Sequence, residues 1–443
     1  MSNVAAAAHE KQWFGHPRGL ATLFFTEMWE RFSYYGMRGF LILYMTKALA
    51  FTDTQASNAY TTYVSSVWLT PILGGLIADA WLGQYRSVLL GGIIIALGHF
   101  TLAFHGLPFL YAGLGLIVIG TGLLKPNIST LVGGLYEPGD ERRDAGFSLF
   151  YMGINLGAFL GPIIAGRIAE GIDWHLGFAC AGFGMILGLT QYVVGRRHLQ
   201  PAVERIAAQK AARRAVDATP AGGQGGRSPL TGDDWRRISA VFVLFIFASL
   251  FWGAYEQAGS TLTLFADRYV HLELLGLRLY ASWFVSVQAA FVILLSPLFA
   301  WLWVRLGPRQ PSSPAKFAIA LIFVGLAFLL LIPAGSLAQQ GIKVSPLWLI
   351  AAYFIQELGE LCLSPVGLSL VTKVAPVKLV SFVMGIFFLS NFLGNLLAGW
   401  SARFVSTVPL VTLFGVTAAV TIGAGVVLFL LLRPVRSLMG GVR

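Results

Sequence analysis

Charge is what this chain has least of. Of its 443 residues, 12% are Asp, Glu, Lys or Arg and 56% are hydrophobic, with a mean hydropathy of +0.72. A soluble fold of this length could not cover itself with so little charge, and apolar runs of about 20 residues are what some 30 Å of hydrocarbon demands. Cysteine is nearly absent. Cys180 and Cys362 both lie in apolar runs, which excludes a disulfide framework and any zinc-ligand spacing; they read as small buried hydrophobes. The amino-terminal stretch MSNVAAAAHEKQWFGHPRG has no cleavable signal pattern, so the first span must itself direct insertion. No haem, zincin or nucleophile-elbow pattern accompanies the seven histidines, which read as solvated or interfacial. The glycines of GLGLIVIGTG (113–122) have no strand beside them, so a dinucleotide loop is excluded and helix packing is the reading.

What is present is a series of twelve apolar segments, near 20–46, 58–79, 87–105, 109–134, 145–167, 175–195, 236–266, 279–305, 316–335, 346–372, 379–402 and 409–432. One long polar stretch, 196–235, interrupts the series and reads as a linker, partly helical and partly flexible. The expected organisation is an amino-terminal six-helix bundle (1–195), the linker, and a carboxy-terminal six-helix bundle (236–443). Loop charge sets the orientation. With both termini in the cytoplasm, only Lys47, Arg167, Arg268, Arg278, Lys343 and Arg403 fall outside, Arg31, Arg38 and Lys125 fall within spans, and the other 22 of the 31 Lys and Arg fall inside. The net charge of +11 is therefore a topology signal and not a nucleic-acid face. Six plus six spans joined by a basic linker is the layout of the major facilitator fold, an all-α membrane architecture with its sites at midplane between two halves.

A charge at the bilayer centre costs at least about 2.5–3.5 kcal/mol, so such residues are normally paired and functional. The first span carries Glu27, Glu30, Arg31 and Arg38 in EMWERFSYYGMR, at spacings that share one helix face, with Tyr34 and Tyr35 on or beside it. The fourth span carries Lys125 before Pro126, the seventh Glu256, and the tenth Glu357 and Glu360, three apart. Three cations and five carboxylates spread over both halves leave two carboxylates to hold a proton or an external cation. Structural salt bridges alone would not need this number, this mixture of sign or this distribution. A solute transporter does, and a membrane enzyme or scaffold leaves the set unexplained.

The same segments resemble the proton-dependent oligopeptide transporter (POT) family. EMWERFSYYGMR is similar to its ExxERFxYYG motif, and GGLIADAWLGQYRS to its motif at the second-to-third span turn. FSLFYMGINLGAFLGP is similar to FYxxINxGS with Ala158 in place of Ser, and FWGAYEQAGSTLTLFAD and GELCLSPVGLSLVTKVAP to its seventh- and tenth-span patterns. The resemblance implies a proton-coupled symporter importing di- and tripeptides by alternating access, with no covalent chemistry. It implies no metal and no cofactor beyond the proton as coupling ion, and a monomer in the cell inner membrane whose partners are small peptides, protons and membrane lipid.

It also implies roles. Arg38 and Lys125 would hold the peptide carboxyl end and Glu360 its amino end. Glu256 would be the main proton site, its charge answered by Arg38. Glu27, Glu30 and Arg31 would couple proton state to the Lys125 region, and Tyr34, Tyr35, Tyr63, Asn155 and Trp252 would line the pocket. The chain departs from the family pattern at Gln288, where Asn is usual, and at Phe387, where Trp is frequent; Gln288 should still hydrogen-bond a peptide backbone in a narrower pocket. Asp79, Gly83 and the turn EPGDERRD (137–144) read as gate or surface structure. The alternative is the same fold carrying another zwitterionic or anionic solute, such as an amino acid, a drug or nitrate. A site with both cations and carboxylates disfavours nitrate.

Overall fold

The computed structural model describes residues 12–137, 139–217, 231–374 and 379–439. The amino-terminal residues 1–11 and the centre of the expected linker, 218–230, lie outside them. In chain order the helices are α1 (Arg18–Lys47), α2 (Asp53–Ile77), α3 (Gln84–Leu102), α4 (Leu107–Gly134), α5 (Arg142–Gly171), α6 (Trp174–Val194) and α7 (Arg196–Asp217). They continue as α8 (Gly232–Tyr255), α9 (Thr261–Tyr269), α10 (Trp283–Leu306), α11 (Ser313–Gln339), α12 (Leu347–Val374), α13 (Val380–Ala402), α14 (Leu410–Leu430) and α15 (Leu432–Leu438). One small hairpin, β1 (Glu273–Leu274) with β2 (Leu277–Arg278), pairs antiparallel with Glu273 opposite Arg278.

Among the described residues, eleven helical stretches are long and apolar enough to cross a membrane. The first expected span is missing from that count for a physical reason. Every 18-residue window of α1 contains at least three of Arg18, Glu27, Glu30, Arg31, Arg38 and Lys47. With α1 the number is twelve.

Two spans depart from regular α-helix. α2 ends in a π-helical turn, Ala78–Leu82, before Gly83 turns the chain into α3. The seventh span, expected as one run over 236–266, is broken: α8 stops at Tyr255, a 3-10 turn runs Glu256–Gly259, and α9 resumes at Thr261. α8 starts earlier than its apolar run because Thr231 and Asp234 close a capping box, Asp234 N–H to Thr231 Oγ1 at 3.2 Å and Thr231 N–H to Asp234 Oδ2 at 2.9 Å. The first half of the expected linker is the helix α7. It buries Leu199, Ala202 and Ile206 in the same cluster as Leu131, Val132 and Leu135 of the α4 end, and turns its charged side out.

Spatially the chain forms two compact units. One comprises Met1–Gly36, Thr70–Gly161 and His175–Pro229; the other comprises Met37–Leu69, Pro162–Trp174 and Leu230–Arg443. α1, α2 and α5 each contribute to both.

In the first unit α5 lies against α1. A Cβ on Gly157 would sit 2.9 Å from the Arg31 Cβ and closer still to the Met28 carbonyl, so only glycine lets α5 approach the charged face of α1. In the turn before α5, Arg142 holds Asp140 in a fork, Nε at 3.0 Å and Nη2 at 2.8 Å, and so depresses the Asp140 pKa to about 2.

In the second unit Lys47 pairs with Asp267 at 2.5 Å, and Arg268 donates to both Asp53 oxygens at 2.6 and 2.8 Å. Glu170 accepts the backbone N–H groups of Ala281 and Ser282 that precede α10, at 3.2 and 3.0 Å.

The histidines correct one expectation. His99 is 0% exposed inside α3, and His16 is buried against the Tyr136 hydroxyl at 3.0 Å, so neither is solvated. His105 and His175 stack with centroids 3.7 Å apart.

Gly157→Leu should lower the thermal unfolding midpoint in detergent by the equivalent of about 1–3 kcal/mol, because overpacking must push α5 from α1. An unchanged midpoint would refute this close approach.

Candidate functional site

The in-span charges fall into two groups, one in each unit. In the first unit, Glu27, Glu30 and Arg31 occupy consecutive turns of α1 and all three are buried. Arg31 Nε lies 3.2 Å from Glu27 Oε1 and also donates to Glu30 Oε2. The 27-to-31 contact is the helix i, i+4 geometry expected from spacing alone. One guanidinium thus faces two carboxylates. Glu27 Oε2 and Glu30 Oε1 have no hydrogen-bond partner among the described residues. The Lys125 ammonium of α4 lies close enough to act electrostatically on Glu27. Arg31 also sits over the Tyr34 ring, 5.1 Å from its centroid, and Tyr34 meets Tyr35 edge to face. Asn155 of α5 is buried in the same unit and donates to the Tyr151 carbonyl at 2.9 Å.

In the second unit, Arg38 pairs with Glu256, both buried, and donates from Nε to the Tyr60 hydroxyl at 2.8 Å. Glu256 reaches this position because α8 ends there; it opens the 3-10 turn. Broken helices of this kind are where transport sites are built, since the unwound backbone leaves room for a ligand or ion. Trp252, one turn earlier, meets Tyr255 edge to face with centroids 5.4 Å apart. Tyr63 is buried on α2. Glu357 and Glu360 are both buried on α12. Glu357 is 0% exposed and accepts the Tyr255 hydroxyl proton at 2.7 Å, and its other oxygen has no partner among the described residues.

Arg38 and Lys125, expected to share one carboxylate, belong to different units, as do the Glu27–Glu30–Arg31 group and Glu256. Gln288 of α10, expected to meet a peptide backbone, donates its amide to Gln356 Oε1 at 3.1 Å. Sequence reasoning passed over three residues that the structure joins to these groups. Tyr60, Tyr255 and Gln356 carry no charge, and only tertiary contact reveals them. Lys316, which opens the ninth apolar run, was read as loop charge. Its side chain is buried, 4.0 Å from the Trp303 ring centroid, with Gln310 Oε1 at 2.8 Å. Phe387 is buried and packs near Phe317. No cluster of three or more metal-ligating side chains occurs among the described residues.

Twelve membrane-spanning helices, with paired charges buried inside them and one span broken at a carboxylate, define a multi-pass transporter of the major facilitator fold. Matching extends to the family level. The model of the POT family matches residues 85–212 and 228–420. The chain is 38% identical to the uncharacterized transporter YclF of Bacillus subtilis strain 168, over 99% of this chain and 98% of that one. It is 35% identical to a di-/tripeptide transporter of Lactococcus lactis subsp. cremoris, over 98% of this chain and 99% of that one. A crystal structure of the peptide transporter POT, an E310Q mutant in complex with alafosfalin, superposes with a TM-score of 0.86 at 40% identity, covering 97% of each chain. The chain belongs to the POT family.

Glu357 and Tyr255 meet through one hydrogen bond between α12 and α8, to a carboxyl that is 0% exposed. Glu357→Gln keeps an acceptor for Tyr255 and should unfold within about 0.5 kcal/mol of the parent. Glu357→Ala removes the acceptor and leaves a gap at a fully buried position, and should cost about 1–3 kcal/mol. Thermal unfolding of the two variants checks this, and a Gln variant as damaged as the Ala variant would refute the acceptor role.

Proposed function

We propose that this protein is a proton-coupled symporter that imports di- and tripeptides across the cell inner membrane by alternating access, as a monomer with both termini in the cytoplasm. The observation that carries the reading is the buried Arg38–Glu256 pair at the break after α8. Removing one partner of a buried ion pair typically costs about 3–5 kcal/mol. Arg38 therefore exchanges Glu256 for a peptide carboxylate only when a proton neutralises Glu256. Loss of that proton restores the pair and expels the peptide carboxylate. Substrate and proton are in this way coupled through one guanidinium, with no cofactor beyond the proton.

The remaining roles follow the same charge logic. Lys125 is the second cation for the peptide carboxyl end, and Glu360 receives the amino end. Glu27, Glu30 and Arg31 hold one carboxylate in excess and relay proton state toward Lys125. Tyr34, Tyr35, Tyr63, Asn155, Trp252 and Gln288 line the peptide path. The halves 1–195 and 236–443 move against each other, joined by the linker 196–235. The proposed orientation rests on the excess of Lys and Arg in the loops assigned to the cytoplasm. Peptide as substrate rests on similarity to the di-/tripeptide transporter of Lactococcus lactis and on a charge set that answers both ends of a zwitterion.

Proteoliposomes with an inward proton gradient should accumulate a labelled dipeptide, and competition with di- and tripeptides, single amino acids and nitrate should leave only the peptides as effective inhibitors. Folded protein that accumulates no peptide above empty liposomes, or that prefers an amino acid, would refute the assignment. Glu256→Gln should lose proton-driven accumulation at least tenfold while retaining peptide exchange; proton-driven uptake at the parent rate would remove Glu256 from coupling. Glu360→Ala should impair peptides with a free amine far more than amine-blocked ones, and equal losses would exclude it from the amino-end site.

A further inference from the structure

A cavity of about 740 Å³ lies within the first unit, away from the buried charges of α1. Its walls come from the π-turn that ends α2, the first turn of α3, and one side of α7. Three cations line it: Arg86 of α3, and Arg196 and Lys210 of α7. Asp79 is the one acidic residue among the lining residues, so the wall carries two positive charges in excess.

Two of these cations are held in place. Arg196 lies over the Tyr85 ring, 5.5 Å from its centroid, and Tyr85 stacks on Tyr192 at 4.8 Å. Lys210 bonds Asp79 at 2.6 Å, and Asp79 also accepts the Gln84 amide at 2.9 Å. Arginine forks and a lysine converging on one space suit the tetrahedral oxygens of a phosphate.

The apolar surroundings indicate what else the ligand carries. Trp81 lines the cavity and is 81% exposed at the end of a membrane span, the usual station of an interfacial indole. Ile72, Leu73 and Leu76 form one exposed apolar strip along α2 that leads to Trp81 one π-turn on. Val203 and Ala207 of α7 add apolar wall between Arg196 and Lys210 on the same face of the helix. The volume is that of a site for an organic molecule, far larger than an inorganic phosphate requires.

We infer that this cavity binds the phosphate headgroup of an anionic phospholipid, with the glycerol portion against Trp81 and the acyl chains along the exposed strip of α2. The Lys210–Asp79 pair tunes the site: it withholds one cation from the ligand. The inference is independent of what the protein transports.

Native mass spectrometry of the full-length protein in detergent tests it, by titration with phosphatidylglycerol and with phosphatidylcholine of the same acyl chains. The parent should bind phosphatidylglycerol at least tenfold more tightly. Removing cations should weaken binding about fivefold each, so the double variant Arg86→Gln/Arg196→Gln loses about twenty-fivefold. Asp79→Asn should act in the opposite direction and strengthen binding, because it releases Lys210; a merely structural role for these side chains would not produce opposite signs. All three positions are exposed or half-buried, and unchanged thermal midpoints verify that the variants fold. Equal affinity for the two lipids, or an unaltered affinity in the double variant, overturns the site. Complete displacement of the lipid by an equal concentration of inorganic phosphate overturns the lipid as its occupant.

Discussion

The pairing of Arg38 with Glu256 constrains more of this molecule than any other interaction, because neither charge is tolerated alone in an apolar span. Glu256 can answer Arg38 only if α8 ends where it does. A continuous helix over 236–266 would carry Gly259 and Ser260 onward as ordinary turns; instead the chain tightens into a 3-10 turn there. The close fit explains the glycine at the end of that turn. A Cβ on Gly259 would lie 3.2 Å from Arg38 Nε and Nη2 and would collide with the Tyr60 hydroxyl. The pair, the helix break and the small residue are therefore one device.

The Glu27–Glu30–Arg31 group is built on a different rule. All three side chains come from one helix, so spacing alone brings them together, and the fold has only to bury them. α5 does so through Gly157, which admits the backbone of α1 at a distance that any side chain would prevent. One cation for two carboxylates leaves the group short of positive charge, and the nearby Lys125 offsets the deficit from α4. Both groups draw a cation from α1, Arg31 and Arg38, one on each side of the point at which that helix passes from one unit to the other. Glu357 follows a third rule. It is tied to a neutral hydroxyl, that of Tyr255 on α8, and not to a guanidinium.

Much of this was legible in the sequence because membrane helices are written in long apolar runs. Expected and observed span limits agree within a few residues for α3, α4, α6, α10 and α14, and where they differ the cause is polar sequence. α2 begins at Asp53, five residues before its apolar run, because DTQAS is polar yet helical. α1 agrees within two residues with the run at 20–46, although its charges lower its hydropathy. What the sequence could not convey is contact between distant residues. Tyr60 against Arg38, Tyr255 against Glu357 and Gln356 against Gln288 join positions 22, 102 and 68 residues apart. Lys316 was misread because it stands at a run boundary, where loop and span charges look alike. The π-turn at Ala78–Leu82 has no compositional signal at all.

The Gln288–Gln356 pair changes what the departure from the family pattern means. A glutamine in place of asparagine was expected to reach a peptide backbone through a narrower pocket. In the structure its donor is already engaged with Gln356 Oε1, and the Gln356 amide nitrogen has no partner among the described residues. That donor is fully buried, so a peptide carbonyl would reach it only once this wall opened. The longer side chain thus joins α10 to α12 one turn from Glu360. On the proposed function, backbone and amino-end recognition would share one face of α12, which would tie the register of a bound peptide to a single helix.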